Sequence, residues 1–427
     1  MKIAIIGAGS YVFTPTVIED LIIKSKLQDC EIALVDLSME IPDLLAKIIQ
    51  RIAADNNVRV NVYATTNRTA ALEGADYVIN TAAIQGAKRW LMDYEICKDE
   101  GIPHECRESG ALGGISYSLR TIKLMMEICH DMERLCPRAK LMNVANPLTK
   151  VHEAINRYTK ITAYGFCNAA QDGANGYEAI AKMLGRDYNK IDVVTAGLNH
   201  FVWIVSINDS ETEADLLPEY LDKLQKCALS DNEAKVKWEL YQQFGAVLAA
   251  STEHSCEFLP YRSDVSYYET PPFHGSPEER AERINEMKLM ASGELYYGNV
   301  PYFLGASWEH PGLVISAVKN KTPLHLNMLN LPNAGMLPQL PTGAIVEVPA
   351  VIIDGKIIPA MGITLPDKVV EVCLNQSLVA GMIAQAAVEN DRALIDKIID
   401  TDTAITKKAE AKRAMKRILL AHADILG

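Results

Sequence analysis

Cys167 and His200 are the pair of residues in this chain with the most distinctive chemistry to offer. A thiolate and an imidazole together can hold a divalent metal while leaving coordination positions for substrate oxygens. A lone cysteine is more often a small apolar residue and a lone histidine a satisfied polar one, and no close CxxC or HxxxH spacing accompanies this pair. Their position singles them out. Three short, apolar, β-prone runs, Lys140 to Pro147, Ile161 to Asn168 and Val193 to His200, each end in residues that coordinate, hydrogen-bond or turn. The strands of an open α/β sheet empty into a ligand crevice in this way, so the three ends are expected to meet in one site.

A second candidate lies in the loop Arg107-Glu108-Ser109-Gly110-Ala111-Leu112-Gly113-Gly114. Glycines there would let backbone approach a ligand, and Glu108 could serve as an acid or orient a hydroxyl; a solvated loop carboxylate is the alternative. A third lies at the N-terminus, where the strand Ile3 to Ile6 runs into Gly7-Ala8-Gly9-Ser10 and a second strand, Glu31 to Val35, ends in Asp36. This is the pattern of a dinucleotide-binding βαβ unit: glycines admit the pyrophosphate and the acid holds ribose hydroxyls. Asp36 favours NAD, since it would repel the 2′-phosphate of NADP. Val12 departs from the pattern, standing where its third glycine would be.

The elements that must carry these residues alternate. A crossover helix is expected over 16–24, strands over 58–63 and 76–81 with a helix at 67–73 between them, and a helical stripe over 119–136, so that the sheet is mostly parallel. After His200 the pattern changes. Residues 211–250 are helical in period, 263–280 resemble a loop or lid, 322–366 alternate in short β-like pieces with a turn at Asn330-Leu331-Pro332-Asn333, and helices run from about 367 to the C-terminus.

Composition narrows the partners. Over 427 residues the formal charge is −12, with 42 basic against 54 acidic residues and no basic block, which argues against nucleic acid. No apolar run approaches the ~18 residues of a membrane span. The first strand begins at once, with no leader pattern before it, and the nine cysteines have no framework spacing; a reducing, cytoplasmic setting with free thiols is expected.

Taken together, these residues resemble the family 4 glycoside hydrolases, which use NAD and a divalent metal. The resemblance rests on Gly7-Ala8-Gly9-Ser10, Asn80-Thr81-Ala82, Glu108 with Gly113-Gly114 and Leu119-Arg120, Ala145-Asn146-Pro147, Gly165-Phe166-Cys167, Gly197-Leu198-Asn199-His200, Phe258-Leu259-Pro260, Asn330-Leu331-Pro332-Asn333 and Val346-Glu347-Val348-Pro349, in that order along nearly the whole chain. It implies an α/β fold akin to lactate and malate dehydrogenases, with a Rossmann-type NAD-binding domain over 1–200 and an α+β substrate-binding domain over 201–427. It also implies Mn²⁺ or another divalent metal on Cys167 and His200, NAD contacts from Gly7, Gly9, Ser10, Asp36 and Asn80, and sugar contacts from Asn146 and Asn168. The implied reaction oxidises the sugar at C3, removes the C2 proton, eliminates the leaving group, adds water and returns the hydride. A homodimer or homotetramer acting on a small glycoside is expected.

Two positions depart from the α-specific members of that family. Asn168 stands where some carry an acid, and an amide cannot supply the proton. The Gly-Asp taken as the C2 base in α-specific relatives is replaced by Ser251-Thr252-Glu253-His254, leaving Glu253 or Tyr261 for the role. The second half otherwise resembles members acting on unphosphorylated α-galactosides, α-glucosides and α-galacturonides, with Arg262, Arg280 and Arg283 the only phosphate-binding candidates. The competing function is an NAD-dependent 2-hydroxy-acid dehydrogenase on the same fold.

Overall fold

The computed structural model describes the whole chain except residues 11–12, 168, 171–175, 268, 270–276, 302 and 305–308. Val12, Asn168 and eight of the eighteen residues of the expected lid therefore lie outside the described residues. Twelve strands form one sheet among the described residues: β1 (Lys2–Ile6), β2 (Cys30–Val35), β3 (Val60–Thr65), β4 (Tyr77–Asn80), β5 (Lys140–Asn143), β6 (Thr162–Gly165), β7 (Ile191–Leu198), β8 (Phe201–Asp209), β9 (Val247–Leu248), β10 (Leu324–Pro332), β11 (Ile345–Ile353) and β12 (Lys356–Pro359). The order is β3-β2-β1-β4-β5-β6-β10-β11-β7-β8-β9, with β12 on β11.

The first six strands are parallel, in the order of a doubly wound nucleotide-binding sheet. Their sequences explain why. Along β1, Ala4 and Ile6 enter one core while Ile3 and Ile5 enter the other, and in β2 Ala33 and Val35 oppose Ile32 and Leu34 in the same way. A strand buried on both faces reads as an unbroken apolar run. Helix Glu40–Asp55 covers one face with Ile41, Leu45, Ile48, Ile49 and Ile52. Helix Ala111–Leu135 covers the other, together with helix Asp367–Val388. The latter is long and apolar enough to cross a membrane, but Val379, Ile383 and Ala384 are fully buried in the core.

Past β6 the sheet turns antiparallel, so the parallel expectation holds only for the first half. Strand β8 is an addition to the expected strands; like β1 and β2 it is buried on both faces, with Phe201 and Trp203 in one core and Val202 and Ile204 in another. Asn330 to Pro332 is not a turn but the end of β10: Asn330 pairs with both Gly165 and Glu347, and the chain turns only from Asn333 onward.

One row of paired residues crosses the sheet where the parallel strands end: Thr65, Val35, Ile6, Asn80, Asn143, Gly165, Asn330, Glu347, Gly197 and Val202. Asn80 stands in this row, and Gly7, Asp36, Asn146, Cys167 and His200 follow it by one to three residues along the chain.

Candidate active site

At one end of the row Gly7 turns with φ +82°, and a Cβ there would stand 2.6 Å from the backbone of Ala82. Only glycine fits that approach. The Gly7 and Ala8 N–H groups donate to Val35 O, and Gly9 N–H donates to Asp36 Oδ2 at 2.8 Å. Leu37 N–H holds the other Asp36 oxygen at 2.7 Å, so the carboxylate is fixed beside the glycine turn. Ser10 Oγ accepts from Phe13 N–H at 3.2 Å, where the first helix starts. Asn80 is fully buried and donates to Asn143 Oδ1 at 2.9 Å; its amide orders the rim of the sheet.

Further along, Asn146, Glu108 and His200 converge. Asn146 Nδ2 donates to Glu108 Oε1 at 3.1 Å and lies 3.4 Å from His200 Nε2. His200 occupies the two-residue connection between β7 and β8, with Leu198 paired to Phe201. Its backbone is left-handed, φ +67°, a conformation hairpin turns ordinarily give to glycine. Ser255 Oγ donates to its carbonyl at 2.9 Å and pins it. The strain is thus held at the site.

The glycines around Glu108 serve packing. A Cβ on Gly110 would lie 2.0 Å from Glu257 O, one on Gly113 2.2 Å from Arg107 O, and one on Gly114 2.4 Å from the Ser109 carbonyl. Gly113 and Gly114 belong to helix Ala111–Leu135, not to a ligand-facing loop as expected. Arg107 Nη1 donates to the carbonyls of Cys256, Glu257 and Leu259 at 2.8–2.9 Å. That clamp seats Glu257, which accepts from the N–H groups of Glu108, Ser109 and Gly110 at 3.2, 2.6 and 3.0 Å. Burial pushes both carboxyls, Glu108 and Glu257, upward, and repulsion between them adds to the rise of Glu257; the three N–H donors pull Glu257 back toward its charged form. Near neutral pH the two groups titrate as a pair. Buried Lys150 donates to Ser109 O at 2.6 Å, and burial lowers its pKa to about 8.

Cys167 follows β6 and is 7% exposed. Burial raises its thiol pKa well above the ordinary value, and Glu309 and Glu347 raise it further, while a hydrogen bond from Asn199 lowers it. Behind it Glu347 accepts from Asn199 Nδ2 at 2.8 Å and Asn330 Nδ2 at 2.7 Å, with burial raising its pKa to about 6. Neither Glu347 nor Glu257 was assigned a role from sequence. Glu257 meets its partners across more than 140 residues, and Glu347 meets Asn199 across 148 and Asn330 across 17, so no short spacing announces either.

The two candidates for the C2 base differ. Glu253 is half-buried in the short helix Thr252–Ser255, near enough to Glu108 to raise its pKa, and is itself raised by burial and by Glu233. Tyr261 is 43% exposed, with its ring stacked on His104 at 3.9 Å. Among the phosphate candidates, Arg262 is spent on Asp264 and Glu239 at 2.6–3.0 Å, and Arg280 is exposed on helix Pro277–Ser292.

Unsatisfied atoms decide whether a metal suits this place. Glu108 Oε2, Asn146 Oδ1 and His200 Nδ1 are buried with no hydrogen-bond partner, a costly condition unless a ligand completes it. Imidazole and carboxylate are donors suited to a first-row divalent ion, so Glu108 and His200 fit the group.

Comparison with known proteins agrees with this geometry. Residues 2–185 match the model of the family 4 glycosyl hydrolases, and residues 195–404 match that family's C-terminal domain. An alpha-galactosidase from Bacillus subtilis (strain 168) is 28% identical over 416 residues, covering 96% of this chain and 90% of the relative. Among solved structures, a 6-phospho-alpha-glucosidase from gut microorganisms in complex with NAD and Mn²⁺ superposes with a TM-score of 0.76 at 18% identity, covering 99% of this chain and 98% of that one. Malate dehydrogenase from Plasmodium falciparum aligns with a TM-score of 0.52 at 14% identity, over 91% of this chain and 99% of that one. The Rossmann-type, malate dehydrogenase-like α/β fold is therefore the observed one, and with two family models spanning its two halves, this chain belongs to family 4 of the glycosyl hydrolases and is a glycosidase.

Proposed function

We propose that the protein hydrolyses a small, unphosphorylated α-glycoside of the galactoside or galacturonide class, with NAD in the Gly7–Asp36 cradle and Mn²⁺ or a similar ion on Cys167 and His200. The observation carrying this reading is the trio of buried, unpartnered atoms on Glu108, Asn146 and His200 beside the ends of β5, β6 and β7. When bound, NAD supplies a hydride acceptor and donor at the sugar's C3, and the metal supplies a Lewis acid for oxygens next to it.

The protein's own part follows from its residues. Gly7 and Gly9 admit the pyrophosphate, Ser10 flanks it, and Asp36 accepts from the ribose hydroxyls. Asn80 acts on the nicotinamide end through the ordered rim. Asn146, bonded to Glu108, orients a sugar hydroxyl, with Asn168 as the proposed second contact. Glu253 takes the C2 proton; burial and the neighbouring Glu233 raise its pKa and so make it a better proton acceptor. Tyr261, exposed and stacked on His104, is the weaker candidate for that step.

The substrate class draws on the galactosidase likeness and on Arg262 being already paired with two carboxylates. Residues 1–200 would then hold the dinucleotide and 201–427 most of the sugar. Nine unpaired cysteines fit a reducing cytoplasm, and a homodimer or homotetramer is the proposed assembly. The test is a panel of nitrophenyl α-galactoside, α-galacturonide and 6-phospho-α-glucoside with NAD, Mn²⁺ and thiol present. Turnover confined to the phosphorylated substrate would overturn the substrate class, and steady net formation of NADH would instead support a dehydrogenase.

A further inference from the structure

A second histidine stands in this site. Glu108, His200 and His254 each offer a ligand atom, and the three atoms lie within 4.8 Å of one another. Donors bound to one ion at ~2.1 Å stand roughly 3–4 Å apart, so modest side-chain rotation would close the set. The His254 ring meets His200 edge to face, with centroids 4.8 Å apart.

Three further features point to a cation between them. Glu108 Oε2 and His200 Nδ1 are buried without partners, on side chains 5% and 1% exposed. His254 Nδ1 is hydrogen-bonded to Ser251 Oγ at 2.7 Å, a bond of the kind that fixes the ring orientation of ligating histidines. The short helix Thr252–Ser255 carries His254, and its last residue, Ser255, bonds the strained His200 carbonyl. One element therefore fixes both imidazoles.

We infer that His254 and Glu108 bind the site's divalent cation directly, forming with His200 a two-histidine, one-carboxylate set in addition to the thiol of Cys167. The inference rests on the metal reading proposed above and enlarges it. Such a donor set suits Mn²⁺, Fe²⁺, Co²⁺ or Ni²⁺ better than Mg²⁺, which takes oxygen ligands and keeps its waters.

The experiment titrates metal-free protein with Mn²⁺ and follows free Mn²⁺ by electron paramagnetic resonance, for the parent protein and the variants His254→Gln, His200→Ala and Cys167→Ser. His254→Gln is expected to weaken Mn²⁺ binding by at least about 10–100-fold, the loss typical even of outer-shell partners, while NAD affinity stays unchanged. Electron spin echo modulation of bound Mn²⁺ should show two imidazole nitrogens in the parent and one in His254→Gln. If that variant fails to fold, the parent's spectrum alone decides between one imidazole and two. Unaltered affinity and a single-imidazole spectrum, with binding still lost in His200→Ala and Cys167→Ser, would overturn the role of His254 and leave the proposed function standing. A parent protein that binds no Mn²⁺ would overturn both.

Discussion

Individual residues carry most of the chemistry here, and they were unequally visible in the sequence. Cys167, His200 and Asn146 could be found because each closes an apolar run. His254, Glu257 and Glu347 were given no roles, since the contacts that bring them to the site, with His200, with Glu108 to Gly110 and with Asn199, each join residues more than fifty positions apart. Replacing Cys167 with Ser or His200 with Ala should abolish turnover while the protein stays folded and binds NAD, as judged by circular dichroism and dinucleotide titration; near-full, metal-dependent activity in either would refute their pairing. His200 allows a finer test. Because its backbone is left-handed, His200→Gly should unfold at higher denaturant than His200→Ala, by roughly 1–2 kcal/mol. Glu347 gives a pH signature. Its folded pKa, about 6, exceeds the ordinary 4.5, so between those values the folded chain holds a proton that the unfolded chain releases. Stability from this group is present below pH 4.5 and lost as pH rises through 6, by roughly 2 kcal/mol. The stability difference between the parent and Glu347→Gln should therefore shift by about that amount from pH 4.5 to 7 in urea unfolding. A constant difference would show that the carboxyl is not shifted.

At the scale of elements, the parallel half was legible and the joins were not. The β1–β2 unit announced itself through doubly buried strands and an acid at a strand end. Helix Ala111–Leu135 was recognised only from Leu119 because residues 111–116 are buried all round, which leaves no stripe to read. The same packing accounts for its glycines, which sequence alone assigned to a ligand. A comparison separates space from backbone freedom. Gly113→Ala places a methyl 2.2 Å from a carbonyl oxygen in a crowded turn, whereas Gly101, at φ +74°, has nothing within 4 Å of its would-be Cβ. We expect Gly113→Ala to cost ~3 kcal/mol or more and to lower turnover by displacing Glu108. Gly101→Ala should cost only roughly 1–2 kcal/mol and leave kcat alone. Equal losses in thermal melts would mean that helix packing does not set the Glu108 turn.

For the whole molecule, the sequence resemblance anticipated fold and family, while the antiparallel half of the sheet is attached through two joins, β6 to β10 and β11 to β7, that are distant in sequence and that no local pattern encodes. The proposed reaction has a signature of its own. Hydrolysis in D₂O should place deuterium at C2 of the released sugar, with NAD needed only in catalytic amount, and Glu253→Gln should slow that exchange more than hydride transfer at C3. Product without label at C2, formed without NAD, would exclude this chemistry.

The row of paired residues across the sheet has a mechanical meaning. From Ile6, beside the dinucleotide cradle, to Gly165, two residues before Cys167, the chain crosses three strand spacings, roughly 14 Å at ~4.8 Å each. That separation is set by backbone hydrogen bonds, not by side chains free to rotate. The sheet acts as a fixed gauge between the cradle and the thiol, and heat can alter the reading only by breaking the gauge itself.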